Sequence, residues 1–221
     1  IVGHSSVTSD VGLFLKTLMP LIDTRAGQEG AARALAARTA AQKELSAPYR
    51  ALIDVLGLVQ QTLPGCRFVG DSTQLTYEGN LYCEVSGPAR WFNSATGYGA
   101  LGYAAPAAIG AALADPNVDV VCLIGDGGLQ FCLAELGTAM DEGTKVIFFV
   151  WNNRGYQEIE SYMRDEGMTP IGVTPSAPDF VGVAASYGMP GERIEGTGSL
   201  PAALDRAKRS SSVYLIEINA S

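Results

Sequence analysis

Asp126 and Asn153 are the residues on which a chemical reading of this chain turns. Asp126 sits in Gly125-Asp126-Gly127-Gly128, directly after the apolar run Val120-Val121-Cys122-Leu123-Ile124. Asn152-Asn153 close a second run, Lys145-Val146-Ile147-Phe148-Phe149-Val150-Trp151. Read as neighbouring parallel strands, the two runs deliver a carboxylate and a carboxamide oxygen to one edge of a sheet, the edge at which open α/β sheets bind ligands. A glycine-rich strand-to-helix turn lets backbone N–H groups approach an anion. Hard oxygen ligands suit Mg²⁺, which takes six oxygens at about 2.0–2.1 Å. A bare Asp126 would repel a diphosphate, whereas a cation held by Asp126 would neutralise one. The pattern implies a site for Mg²⁺ and a diphosphate, with Asp126, the side-chain oxygen of Asn153 and a nearby backbone carbonyl as metal ligands.

The elements that must hold these residues alternate between strand and helix, which predicts a doubly wound, mostly parallel α/β sheet with helices on both faces. Arg67-Phe68-Val69 reads as a strand running into Gly70-Asp71-Ser72-Thr73-Gln74, and Trp91-Phe92-Asn93 as another. Gly97 to Gly102 leads into a small-residue helix from Ala104 to Leu113, with Pro106 early, where proline is tolerated. One helix is expected between the two central strands, with Leu129, Leu133, Leu136 and Met140 on one face and a stop at Gly143. A polar helix to about Asp165, helices over Phe180–Tyr187 and 200–209, and a last strand Val213–Ile218 complete the pattern. Upstream, residues 1–22 read as a strand end, a turn and a helix (Val11 to Leu18) closed by Pro20. The Ala-rich stretch from Gly27 to about Leu45 reads as a linker helix. After Pro48 comes an amphipathic helix through Leu52, Val55, Leu56 and Val59.

Composition narrows the function classes. With 47% apolar and 17% charged residues the chain has the make-up of a well-buried globular protein. A net charge of −8 argues against nucleic acid as a partner, and no apolar stretch approaches a membrane span. The four cysteines (Cys66, Cys83, Cys122, Cys132) show no zinc-like spacing and read as reduced core thiols. His4 is the single histidine, placed in a turn, so Ser-His-Asp or His-metal chemistry is not expected. The chain does not start with Met, and a preceding segment is expected.

Gly125-Asp126-Gly127 followed, one helical stretch and one strand later, by Asn152-Asn153 resembles the thiamine-diphosphate signature. Over roughly residues 46 to 221 the chain resembles the C-terminal, diphosphate-binding domain of the thiamine-diphosphate-dependent 2-oxo-acid decarboxylases and acetolactate synthases. Ser94 to Gly102 with Pro106 to Ala111 matches the stretch that grips the cofactor rings. The resemblance implies that the Gly99 carbonyl accepts from the aminopyrimidine and that Leu101 holds the cofactor bent. It also implies that Thr73, Gln74, Gly125, Gly127, Gly128, Asn153 and Tyr156 bind the cofactor, and that Asp126, Asn153 and the Gly155 carbonyl hold Mg²⁺. Residues 1–45 would then be the tail of a preceding middle domain plus a linker helix, and 46–221 the thiamine-diphosphate- and Mg²⁺-binding domain. The glutamate that activates the cofactor belongs to the family's N-terminal domain, contributed by a second chain. No residue here matches it, so this chain contributes no catalytic residue and is expected to be inactive alone. A homodimer or tetramer in the cytoplasm follows from the same resemblance.

Which 2-oxo acid is turned over is carried by fewer residues. Where the synthases carry a tryptophan near the substrate this chain has Tyr162, and Glu158 stands where they prefer an apolar residue. Glu158, Ile159 and Tyr162 are the candidate substrate residues. A carboxylate facing substrate suits a guanidinium, which bonds carboxylates bidentately. Val69 to Tyr77 and Trp151 to Tyr156 resemble the decarboxylases of 5-guanidino-2-oxopentanoate. An acetolactate synthase-type carboligase and a non-catalytic cofactor-binding fragment are the alternatives. Glu158 and Asp71 can equally be solvated surface charges. A dinucleotide-binding domain is disfavoured, because no G-x-G-x-x-G follows the first strand.

Overall fold

A computed structural model describes residues 6–23 and 29–220. Ile1-Val2-Gly3 and His4, read above as a strand end and a turn, lie outside them. The chain divides into two units, residues 1–44 and 45–221. In the first, α1 (Val11–Leu18) is capped by Asp10, whose carboxylate accepts from Leu13 N at 2.9 Å, and Pro20 sits in a 3₁₀ turn (Met19–Leu21) that follows it. α2 (Gly30–Glu44) has no apolar stripe and no buried residue.

In the second unit six parallel strands form one sheet: β1 (Arg67–Gly70), β2 (Trp91–Asn93), β3 (Val120–Gly125), β4 (Val146–Asn152), β5 (Gly191–Glu195) and β6 (Tyr214–Asn219). Their order is β2-β1-β3-β4-β6-β5. Alternate residues of β3 and β4 feed opposite cores. Cys122, Ile124, Phe148 and Val150 pack with α5 (Ala104–Ala114), α7 (Glu135–Asp141) and α9 (Phe180–Ser186). Val121, Leu123, Phe149 and Trp151 pack with α3 (Ala47–Thr62) and α10 (Leu200–Arg209). Burial on both faces is why these strands are unbroken apolar runs. The small residues of α5 let that helix sit close on the sheet, with Ala104, Ala105 and Ala108 fully buried.

Three expectations change. The stretch after Asp126 is not one helix but two, α6 (Asp126–Gln130) and α7, separated by tight turns in which Phe131 N donates to Gly128 O and Glu135 N to Cys132 O. Cys132 therefore lies in that turn and not on a helix. Two elements absent from the sequence reading also appear: β5 at the sheet edge and α4 (Gln74–Tyr82). The cysteines are free, and burial pushes the Cys66 and Cys132 thiols up to about 12, which leaves them without nucleophilic character. No helix among the described residues is long and apolar enough to cross a membrane.

Candidate functional site

The strand order reverses between β1 and β3: the chain moves outward from β1 to β2, then returns to the other side of β1. Such a switch point opens a crevice at the carboxyl ends of the two strands. A cleft of about 150 Å³ lies there. The turn after β1 contributes Ser72 and Thr73 and the first turn of α4 Gln74 and Tyr77; the end of β3 contributes Gly125 to Gly128; the segment after β4 contributes Asn153, Gly155 and Tyr156. Gly99 and Leu101 close one side, and Gln157, Glu158 and Ile159, at the start of α8 (Gln157–Asp165), close another.

The cleft needs its glycines. A Cβ on Gly127 would collide with the Tyr156 ring, and one on Gly128 with Asp71 Oδ2. Gly155 has φ +142°, and a Cβ there would strike the Val173 carbonyl oxygen. Arg154, just before it, is in the left-handed region at φ +64°, a strained position for a side-chain-bearing residue. The Asn152 side chain holds this turn, accepting from Arg154 N at 3.1 Å and donating to Glu217 Oε1 at 2.7 Å.

Asp126 is 1% exposed, and its Oδ2 has no hydrogen-bond partner. Burial pushes its carboxyl upward, against the pull of the backbone N–H groups of Gly127, Asp126, Gly155 and Asn153. The Asn153 carboxamide oxygen lies 3.3 Å from Asp126 Oδ1 and 2.9 Å from the Gly155 carbonyl oxygen. In this orientation of the amide three side-chain and carbonyl acceptors face one another, whereas turned over its nitrogen would donate to Asp126 Oδ1 and Gly155 O. Adjacent oxygens around octahedral Mg²⁺ are about 2.9 Å apart, given Mg–O distances of about 2.0–2.1 Å. An orphaned buried carboxylate oxygen and this separation fit a small hard cation. Among the described residues no group of three or more His, Cys, Asp or Glu could hold a metal, so a cation site has to use amide and carbonyl oxygens.

Asp71, weighed above as a surface charge, is fully buried. It accepts from Gly102 N at 2.8 Å, Tyr103 N at 3.0 Å and Ala104 N at 3.3 Å, and so ties the loop carrying Gly99 and Leu101 to the end of β1. Burial, more than these N–H groups can offset, raises its carboxyl above the usual range. Ser94 Oγ braces the same loop from below, donating to Ala100 O at 2.6 Å.

Every residue named above as a cofactor or metal candidate lines this one cleft, with Glu158 and Ile159 at its mouth. Tyr162, further along α8, is 62% exposed and is not part of the lining. Ser72, Tyr77 and Gln157 line it without having been singled out. Tyr77 had a readable signal, one helical turn beyond Gln74, once α4 is seen to start there.

Residues 71–218 match the model of the thiamine pyrophosphate enzyme family's C-terminal TPP binding domain. The chain is 33% identical over 217 residues to a probable 2-ketoarginine decarboxylase, AruI, of Pseudomonas aeruginosa, covering 96% of this chain and 39% of that protein. It is 36% identical over 129 residues to the acetolactate synthase isozyme 3 large subunit of Escherichia coli, covering 58% of this chain and 22% of that one. Among solved structures it is similar to the thiamine diphosphate-dependent 4-hydroxybenzoylformate decarboxylase of Rhodococcus jostii RHA1 (TM-score 0.68, 27% identity, 78% of this chain and 32% of that one). The chain thus spans about two-fifths or less of the length of these relatives. With a cleft at the switch point, a glycine turn at its floor, and a match that spans every residue lining that cleft, the chain belongs to the thiamine pyrophosphate enzyme family as a C-terminal TPP binding domain.

Proposed function

We propose that this chain holds the diphosphate end of thiamine diphosphate through Mg²⁺, as part of a 2-oxo-acid decarboxylase whose substrate carries a guanidino group. The observation that carries the proposal is the buried, unpartnered Asp126 Oδ2, with the Asn153 carboxamide and the Gly155 carbonyl oxygen grouped beside the same carboxylate. These oxygens hold the metal, the Gly125–Gly128 turn lets the diphosphate approach, and Thr73, Gln74 and Tyr156 flank it. Gly99 and Leu101 take the ring end, on the loop that Asp71 fastens. Bound there, the cofactor supplies the electron sink through which a 2-oxo acid loses CO₂. A cleft of about 150 Å³ is below the ~300 Å³ at which complete small-molecule sites begin. The remaining wall is assigned to the N-terminal domain of a second chain in a cytoplasmic homodimer or tetramer.

Selection of a cationic substrate rests on the rim. Glu158 lines the cleft, and its charge, after burial, helps raise the neighbouring Glu78 carboxyl. A carboxylate lining the cleft, with a second one close enough to feel its charge, favours a cation over an apolar side chain. The relative AruI is a probable 2-ketoarginine decarboxylase, in keeping with this reading.

Two experiments test the proposal. In calorimetry of the full-length protein, thiamine diphosphate is expected to give a binding heat with Mg²⁺ that disappears when EDTA replaces the metal. Equal binding in both conditions would remove the metal site. In the same protein Glu158→Gln is expected to lower kcat/KM for 5-guanidino-2-oxopentanoate by about 10- to 100-fold, the range for losing a charge-assisted hydrogen bond, and to leave an apolar 2-oxo acid nearly unchanged. An equal loss on both substrates would deny Glu158 any part in selection.

A further inference from the structure

Gln74 stands at the start of α4 between two groups of fixed polarity. Trp151 Nε1 can only donate, and it donates to Gln74 Oε1 at 3.1 Å. The Glu158 carboxylate can only accept, and it accepts from Gln74 Nε2 at 3.0 Å. The Gln74 carboxamide is therefore oriented without ambiguity, oxygen toward the end of β4 and nitrogen toward α8. Asn153 Nδ2 donates to that same Gln74 Oε1 at 3.3 Å.

This matters because Asn153 has two ways to lie. With its oxygen inward it faces Asp126 Oδ1 and Gly155 O as the cation site requires. Turned over, its nitrogen would donate to both, at 3.3 and 2.9 Å, and the site would close on itself with two hydrogen bonds. The turned amide, however, sets its oxygen 3.3 Å from Gln74 Oε1, acceptor against acceptor. Gln74 thus opposes the self-closed arrangement and favours the open one.

We infer that Gln74 is a positioning residue that keeps the Asn153 carboxamide oxygen aimed at the metal, with Trp151 and Glu158 holding Gln74 in turn. The inference rests on the metal site proposed above. It gives Gln74 a task distinct from the diphosphate contact that the family resemblance implies. Ligand-orienting partners of this kind change metal affinity by about 10- to 100-fold when removed.

The test is a titration of the full-length protein with Mn²⁺ at saturating thiamine diphosphate, reading free Mn²⁺ by electron paramagnetic resonance. Gln74→Met keeps the shape and removes the strong acceptor; it is expected to weaken Mn²⁺ binding about tenfold, the lower end of that range. Trp151→Phe leaves α4 untouched and unpins Gln74, and is expected to weaken binding in the same direction by a smaller factor. In an Asn153→Asp background, where a carboxylate presents oxygen whichever way it turns, Gln74→Met is expected to cost nothing further. Wild-type affinity in Gln74→Met, or an equal loss in the Asn153→Asp background, would overturn the inference while leaving the metal site standing. Mn²⁺ binding that survives Asp126→Asn would instead sink the metal site itself.

Discussion

Asp71→Ala is expected to destabilise the second unit by about 3–5 kcal/mol, because it strips a fully buried carboxylate from three backbone donors at once. For a chain of this size that is a fall in Tm of roughly 10 °C. Ala104 N is left buried without its partner, and the loop bearing Gly99 and Leu101 loses its anchor. Asp71→Asn retains one oxygen but sets an amide nitrogen against one of the N–H groups, and should lie between wild type and Asp71→Ala. The pH dependence carries its own sign. Burial raises the folded-state carboxyl above its ordinary value of 3.8, so the folded protein binds the proton more tightly than the unfolded chain. The contribution from that difference is fully present below the unfolded value and is lost as pH rises through the raised one. Urea titrations across this window should therefore show the stability gap between wild type and Asp71→Asn narrowing as pH increases. A constant gap would mean that Asp71 titrates alike in both states.

Asp126→Asn is expected to do two opposite things. Without metal the protein should gain about 1–3 kcal/mol, since a buried, unpartnered carboxylate oxygen is replaced by an amide nitrogen that can donate to neighbouring oxygens. The Mg²⁺-dependent affinity for thiamine diphosphate should meanwhile fall by about 2–5 kcal/mol, roughly 30- to several-thousand-fold in Kd. Thermal unfolding in EDTA reads the first effect and calorimetry with Mg²⁺ the second. Under the proposed metal site, stability is given up at this position for the cation. A variant that is less stable in EDTA and binds the cofactor normally would contradict both halves.

The parts of the fold visible in the sequence are those buried on two faces. β3 and β4 read as strands because Val120–Ile124 and Val146–Trp151 feed apolar cores on both sides, and the site residues at their ends followed from that. β5 did not, because its polar residues are paired rather than buried: Arg193 bonds Glu217 and Asp179, and Glu192 bonds Arg206 and Tyr214. A strand whose side chains are paired with charges on β6, α10 and the start of α9 carries no hydrophobic signal. α4 was hidden in a similar way. Gly79 weakens it by propensity, yet the missing Cβ makes room for the Trp91 ring, a reason that exists only in three dimensions. Asp71 looked like a surface charge because its donors come from a loop distant in sequence. Asp126 and Asn153, the proposed metal ligands, were legible as cleft residues because both directly follow an unmistakable apolar strand run; Gln74's contact with Asn153 was not, since it depends on which atom of an amide faces which.

Asn152 and Asn153 are identical in type and adjacent in sequence, yet one braces a turn through Glu217 and the other looks into the cleft. What separates them is strand register. Phe148 and Phe149, buried on opposite faces of the sheet, fix the side taken by Asn152, the last residue of β4, and so the side on which the chain leaves it at Asn153. A slip of one position would exchange the two amides and put the brace where the cleft-facing amide belongs. The address of the cleft-facing amide is therefore written in the hydrophobic middle of the strand, well away from the cleft it faces.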